Sequence, residues 1–475
     1  MTKCRIFFRA DASATIGYGH FIRTLALADM LKDDFDCTFF TQSPSEYQQR
    51  EAEKVCPLVS LPSDESKFNK FFDYLKGDEI VVLDNYFFTS GYQRQIKGKG
   101  CKLVCIDDMH DKHYYADIVI NHATGLCRAD YDLEPYTQLC TGLNWSLLRK
   151  EFIEYQPSVT TTKNDIFVCF GGSDFCNITT KVLEALSLSD CDCTIHVVLG
   201  EANKQREYLI PKYQNTKVKF YSSLTAQQMI DIMSICKVGV LPASGLLWES
   251  LYVGLPSIFG FYVDNQIDIC LHNPTIENSI CIGDYRTIDL LELADQIKSL
   301  YNKQLEGSLV NNRNVKDNYI QLFHSTLTCR RATADDCDLY FTWANDPVTR
   351  SMAFNKEPIP YENHCKWFSK KTENKDAVLY LFYSNGIPVG QVRFDIDNYE
   401  AEIDISIDRE QRGKNIGTTM LKQALFWFSI EKPGIIPVSK VLIGNPASHR
   451  IFEKCGFTQI SENKEFKKYE FHYSF

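Results

Sequence analysis

The 475-residue sequence predicts an α/β protein with two doubly wound domains in tandem and a smaller domain of mixed α/β order. Three patterns carry that expectation. Short apolar runs alternate with helical segments through the first third of the chain. The alternation restarts after a polar stretch, YQPSVTTTKND, at Tyr155 to Asp165. From Cys329 onward the order changes to helices followed by several β-like runs.

In the first block, CRIFFRA, CTFFTQ, IVVLDNY and KLVCIDD read as buried strands, with helices at FIRTLALADMLKD and SGYQRQIKG between them. Strands that alternate with helices form βαβ units and a parallel sheet. The second block repeats this with DIFVCFGG, TIHVVLG, KVKFYSS and KVGVLPA. Residues 1–155 and 160–305 are therefore expected as two Rossmann-like domains, and 306–327, polar and Asn-rich with one helical patch, as a linker. In 328–475 the runs AVLYLFYS, IPVGQVRFDID and EAEIDISID suggest an antiparallel sheet, followed by a turn and the helix IGTTMLKQALFWFSI.

Apolar residues at 44% and charged residues at 24% allow each domain its own core. A formal charge of −10 argues against a general nucleic-acid binder, which needs clustered Lys and Arg on phosphates. The N-terminus lacks a signal-peptide pattern and no run is long enough to span a membrane, so a cytoplasmic protein is expected. The eighteen cysteines are scattered without zinc spacing, consistent with reduced, buried thiols and no metal.

The most pointed stretch is TIGYGHFIRTLALA, Thr15 to Ala28. A glycine-flanked turn that opens a helix leaves N–H groups unpaired, and with the helix dipole these attract an anion. His20 at that point is placed to accept a proton from water, and Asp11, at the end of the first strand, is near enough in sequence to orient the ring. A capping turn with an incidental histidine would look the same.

The longer string RADASATIGYGHFIRTLALADML resembles the N-terminal signature of the nucleotide-sugar hydrolases of pseudaminic acid biosynthesis. These release UDP from UDP-2,4-diacetamido-2,4,6-trideoxy-β-L-altropyranose and have a GT-B-like fold. The resemblance implies that His20 activates the attacking water, that Gly17, Gly19 and Arg23 belong to the UDP-sugar site, and that Tyr86, in DNY, is an active-site tyrosine. Asp108 and Asn121 fit the same pattern more loosely.

Two elements of the second block read as a nucleotide site. FGGSD places Gly171, Gly172 and Ser173 between a strand and a helix, where the backbone can approach a diphosphate. PASGLLWESLYVGLPSIFGFYVDNQ places Ser244 and Gly245 at a helix start and Glu249 within that helix. Glu249 either favours the helix dipole or accepts ribose hydroxyls. The stretch resembles the UDP-binding segment of the hydrolases and of the peptidoglycan N-acetylglucosaminyltransferase. That likeness implies a ribose role for Glu249 and sugar-diphosphate contacts for Asn265 and Gln266.

RGKNIGTTMLKQAL resembles the pyrophosphate loop of the GNAT acyltransferases, which implies acetyl-CoA held by Arg412, Gly413, Lys414, Asn415, Ile416, Gly417 and Thr418. Asn415 stands where the first motif glycine usually lies, and Asn tolerates positive φ. NPASHRIFEKCGF adds Asn445 and Ser448, with Phe452 in place of the tyrosine thought to protonate the leaving thiolate. Glu402 and Asp404 are candidate bases for the acceptor amine, and WANDPVTR with HCKW, His364 to Trp367, resembles the acceptor side.

Together the resemblances imply a fused hydrolase and N-acetyltransferase acting on UDP-amino sugars, with acetyl-CoA as cosubstrate. A legionaminic-type substrate, a GT-B glycosyltransferase with a protein-amine GNAT domain, and a non-catalytic UDP-sugar sensor remain as alternatives.

Overall fold

The computed structural model describes residues 3–13, 17–156, 163–172, 174–200, 203–272, 276, 278–303, 314–384 and 386–473. The chain divides into two compact units: Met1–Glu134 with Leu139–Phe323, and Pro135–Gln138 with His324–Phe475.

The first unit contains two main sheets among the described residues. The first sheet has strands β1 (Arg5–Arg9), β2 (Asp36–Gln42), β3 (Leu58–Leu61), β4 (Ile80–Leu83), β5 (Lys102–Ile106), β6 (Ile118–Asn121) and β7 (Gln138–Thr141) in the order β3-β2-β1-β4-β5-β6-β7. The pairs from β3 through β6 are parallel. Every residue of β4 and β6 is buried, which explains why these strands read as continuous apolar runs: both faces are covered.

The second sheet comprises β8 (Asp165–Cys169), β9 (Ile195–Val198), β10 (Val218–Tyr221), β11 (Cys236–Pro242), β12 (Ser257–Phe261) and β13 (Ile280–Asp284) in the order β10-β9-β8-β11-β12-β13. It is parallel throughout. Both orders reverse beside the first strand of the sheet, between β1 and β4 and between β8 and β11. The loops leaving those strands diverge there and create the crevice in which open α/β sheets bind ligands.

The helical patch expected in the linker stretch is present. Val315–His324 is a helix with Val315, Tyr319, Leu322 and Phe323 buried. The Tyr319 hydroxyl donates to the Trp145 carbonyl at 2.6 Å, tying this helix into the first unit. Apolar residues at i, i+4, i+7 and i+8 form its buried face despite the polar flanks.

The second unit holds β14 (Thr328–Arg331), β15 (Ala377–Ser384), β16 (Ile387–Asp397), β17 (Glu400–Ile407), β18 (Ile436–Leu442), β19 (Thr458–Glu462) and β20 (Phe466–Glu470) in the order β14-β15-β16-β17-β18-β20-β19. The sheet is antiparallel except at β17 and β18, where an all-antiparallel sheet was expected. The reason is the long helix between these two strands, which carries the chain back to the same end of the sheet. Their pairing stops at Glu402 and Val438, although β17 runs on to Ile407 and β18 to Leu442. The strands part there and open a wedge into the sheet.

Close approach at one glycine shapes the second sheet. A Cβ on Gly200, after β9, would lie 2.0 Å from the Gly172 carbonyl oxygen, after β8. Backbone cannot yield as a side chain can, so Gly200→Ala should destabilise the first unit by about 1–3 kcal/mol. Differential scanning calorimetry of the full chain should show one transition moving down by several degrees. An unchanged profile would mean the two loops do not pack this tightly.

Candidate functional site

The first unit gathers an ion-pair network at the C-terminal ends of β1, β4 and β5. Helix α1 (Gly19–Leu31) starts directly after Gly17, whose φ of +86° suits glycine. Its N-cap residue, Tyr18, makes no side-chain capping bond, and no acid lies in its first turn. One turn brings His20, Arg23 and Thr24 to a single face.

All three reach Asp84, at the end of β4, which is completely buried. His20 Nδ1 lies 2.7 Å from Asp84 Oδ1. Arg23 donates through Nε at 2.7 Å and Nη2 at 2.6 Å, and Thr24 through Oγ1 at 2.8 Å. Burial opposes the charge on Asp84, but Arg23 and His20 outweigh it and hold the carboxyl well below its usual range. An ionised carboxylate only accepts, so the neutral imidazole carries its proton on Nδ1 and leaves Nε2 as a base.

Arg23 also donates to Asp108 Oδ2 at 2.8 Å, linking the ends of β4 and β5. The Tyr86 ring packs edge-on to His20, with ring centres 4.7 Å apart. Burial, with the nearby Asp108 charge, pushes the Tyr86 phenol up, so it stays protonated. Asn265, from the loop after β12, donates to Tyr86 Oη at 2.7 Å and to Asp108 Oδ2 at 3.4 Å.

Asp11 does not orient His20; Asp84 occupies that place. The Asp11 carboxylate is taken by Arg9, by the Gln42 N–H at 2.8 Å and by Lys67 at 3.3 Å. Its main chain exchanges hydrogen bonds of 2.7 and 3.1 Å with the Asn85 side chain. Asp11 thereby staples the loop after β1 to the loop after β4.

Around the second sheet, Gly171 has φ +74° and a Cβ on Gly172 would meet open space; Ser173 lies outside the described residues. The following helix, α2 (Ile178–Leu188), is not free for a diphosphate as expected. Asp174 accepts from the N–H groups of Ile178 and Thr179 at 2.8 and 2.9 Å, so a carboxylate of the chain itself fills that end. Helix α3 (Gly245–Tyr252) begins at Ser244, whose hydroxyl accepts from the Leu246 N–H at 3.4 Å. Glu249 is gripped by Arg149 through Nε at 2.7 Å and Nη2 at 2.8 Å. A carboxylate has about four lone-pair sites, so this grip orients Glu249 while leaving capacity for hydroxyls. Gln266 turns back to accept from the Tyr262 N–H at 3.1 Å, leaving Asn265 to face Tyr86.

In the second unit, the wedge between β17 and β18 forms part of a cleft of about 1050 Å³. Its floor includes Gly413, Asn415, Ile416, Gly417 and Thr418. Asn415 has φ +62° and caps α4 (Ile416–Glu431), as its tolerance of that region suggested. Asn445 caps α5 (Pro446–Lys454) by accepting from the Ser448 N–H at 3.1 Å, and Phe452 of α5 also lines the cleft. The Arg412 guanidinium is committed to Asp346 at 2.7 Å and to Thr349, so it braces the cleft wall. Lys414 does not line the cleft and donates to Gln411 at 3.1 Å.

Glu402 and Asp404 share one strand face, as residues two apart must. Glu402 does not line the cleft and accepts at 2.8 Å from Lys440, which does. Asp404 lines it, receiving a 2.7 Å bond from Gln391 Nε2 and lying 3.8 Å from Arg393. Trp343, His364 and Trp367 lie on the same cleft.

Residues 326–458 match the acetyltransferase (GNAT) domain family. The acetyltransferase YwnH of Bacillus subtilis is 30% identical over 142 residues, covering 28% of this chain and 85% of YwnH. Over this region the chain belongs to the GNAT acetyltransferase family. Solved GNAT-region likenesses include a Vibrio cholerae spermidine N-acetyltransferase bound to CoA and spermine, at 20% identity and TM-score 0.29, covering 31% of this chain and 95% of that one.

The N-terminal region is homologous to the UDP-2,4-diacetamido-2,4,6-trideoxy-beta-L-altropyranose hydrolase of Campylobacter jejuni, 25% identical over 55% of this chain and 93% of that protein. An uncharacterized Methanocaldococcus jannaschii protein is 26% identical over 97% of this chain and 98% of its own length.

Sequence reasoning missed Asp84 as the partner of His20, Arg149 as the holder of Glu249, and His122. The last follows β6, is 6% exposed, and is the counterpart of Asp108 at the end of β5. Burial, reinforced by the Arg23 charge and opposed by Asp108 and Asp84, lowers its pKa to about 4. Folding therefore favours the neutral ring: the contribution is complete above the ordinary value of 6.5 and is lost as pH falls toward 4. Its full size is about 3 kcal/mol. Hydrogen exchange in β6, corrected for intrinsic rates, should accelerate across that interval in the wild type and much less in His122→Gln. Equal acceleration in both would contradict the assignment.

Proposed function

We propose that the chain is a bifunctional enzyme of pseudaminic acid biosynthesis. One activity hydrolyses UDP-2,4-diacetamido-2,4,6-trideoxy-β-L-altropyranose to UDP and free sugar. The other uses acetyl-CoA to acetylate the 4-amino group of the UDP-sugar precursor. The working boundaries are 1–155 and 160–305 for the two halves of the hydrolase, 306–327 for the connection and 328–475 for the GNAT domain, in a cytoplasmic protein.

The observation that carries the reading is the buried His20–Asp84 pair beside an uncapped helix start, in a region homologous to the Campylobacter hydrolase. His20 Nε2 takes a proton from water as its oxygen attacks the anomeric carbon. The C–O bond to UDP breaks, and Asp84 stabilises the imidazolium as it forms. Arg23 and the first-turn N–H groups of α1 supply positive potential where the diphosphate departs. Gly17, Gly19, Gly171, Gly172, Ser173, Ser244 and Gly245 let the backbone approach the nucleotide, Glu249 takes the ribose hydroxyls, and Tyr86, Asn265 and Gln266 border the sugar.

In the GNAT domain, Gly413, Asn415, Ile416, Gly417 and Thr418 are assigned to the acetyl-CoA pyrophosphate, with Asn445 and Ser448 along the cofactor arm. Asp404 accepts the proton that the amine loses on attacking the thioester. Phe452 cannot protonate the departing thiolate, so water or another group does. No metal is required by either reaction as written.

His20→Ala should lower UDP release by about 100-fold or more while UDP affinity stays within about twofold, since a general base contributes about 10²–10⁴ in rate. Phosphorus NMR follows the first and isothermal titration the second; normal hydrolysis by the variant would sink the mechanism. Asp404→Asn should lower kcat for acetyl transfer by at least about tenfold, without raising the KM for acetyl-CoA, in a thiol-release assay. Loss confined to the acetyl-CoA KM would place Asp404 in binding instead.

A further inference from the structure

Two polar atoms of the first unit that are buried without a hydrogen-bond partner among the described residues belong to residues that both neighbour a buried histidine, His122. Asp108 Oδ1 and Trp248 Nε1 are buried and unpaired. The His122 ring is almost fully buried. Asp108 and His122 stand side by side: β5 and β6 are in register at Ile106 and Ile120, and the Asp107 N–H donates to the Ile120 carbonyl at 2.9 Å. The Trp248 indole, on α3, meets the His122 ring edge-on, with centres 6.2 Å apart. Arg23 connects this group to the catalytic pair by bonding both Asp84 and Asp108.

Leaving such groups unpaired is costly, and each wants something different. An indole N–H only donates, a carboxylate only accepts, and a neutral imidazole does one of each. The arrangement calls for a ligand group with a donor and an acceptor close together. We propose that Asp108, His122 and Trp248 form a subsite for an N-acyl substituent of the substrate sugar. The amide N–H faces the carboxylate or imidazole, and the amide carbonyl faces the indole N–H. This subsite rests on the hydrolase reading for the identity of the sugar, and it explains how the cleft distinguishes an acylated amino sugar from the free amine.

The test uses the full chain with His20→Ala, so that binding is measured without turnover. UDP and UDP-2,4-diacetamido-2,4,6-trideoxy-β-L-altropyranose are titrated separately. Trp248→Phe, which removes the N–H and keeps an aromatic ring, and His122→Leu should each weaken the sugar nucleotide by about five- to tenfold. UDP affinity should stay the same, which also reports an intact fold. His122→Gln, retaining a donor and an acceptor, should recover most of the loss. Saturation-transfer NMR should mark an N-acetyl methyl in the parent and mark it less in Trp248→Phe.

Unchanged sugar-nucleotide affinity in both variants, or equal losses for UDP, would overturn the subsite. Hydrolysis is scored separately in the otherwise wild-type chain. Absence of UDP release with the selective binding losses still present would refute the hydrolase and leave the subsite standing. Normal UDP release without those losses would do the reverse.

Discussion

The first unit depends on one buried carboxylate. Asp84 has no exposure to solvent, and a charge there would be prohibitively expensive alone. Arg23, Thr24 and His20, all from the first turns of α1, compensate it. Arg23 supplies the countercharge while Thr24 and His20 occupy further lone pairs, so the helix, the strand end and the histidine ring are held together. The same bonds settle which histidine nitrogen carries the proton. Structural stability and chemical readiness come from one set of contacts.

The other acids are distinguished by what already holds them. Asp174 caps its own helix and Asp11 staples two loops, so neither carboxylate is turned toward the His20 centre. Glu249 is oriented by Arg149 through two parallel bonds, a geometry that fixes direction as well as charge. In the GNAT domain the contrast is between Glu402, paired with Lys440, and Asp404, held by Gln391 within the cleft. Each choice follows from partners on neighbouring strands.

Much of the fold was legible because local pattern determined it. The alternation of buried strands and helices predicted both parallel sheets, and the positive φ at Asn415 follows from its place before a helix. His20 was visible because glycine, a ring and a helix start are contiguous. Its partner was not: Asp84 lies 64 residues away, and only the parallel pairing of β1 with β4 brings it close. Arg149, 100 residues from Glu249, was hidden for the same reason. His122 drew no reading, because nothing local shows that Asp108 lies beside it. Asp174 ends FGGSD, and its spacing to Ile178 and Thr179 is that of a cap. The parallel junction of β17 and β18 was missed because strand direction is set by the intervening helix, not by strand composition.

The most direct measurement is time-resolved proton and phosphorus NMR on the purified full chain with the UDP-4-amino sugar precursor, with and without acetyl-CoA. The account expects no UDP release without acetyl-CoA. With it, a new acetamido methyl signal should appear first, followed by free UDP and the diacetamido sugar. UDP release that precedes acetylation, or acetylated nucleotide sugar that accumulates without hydrolysis, would contradict the two-step assignment.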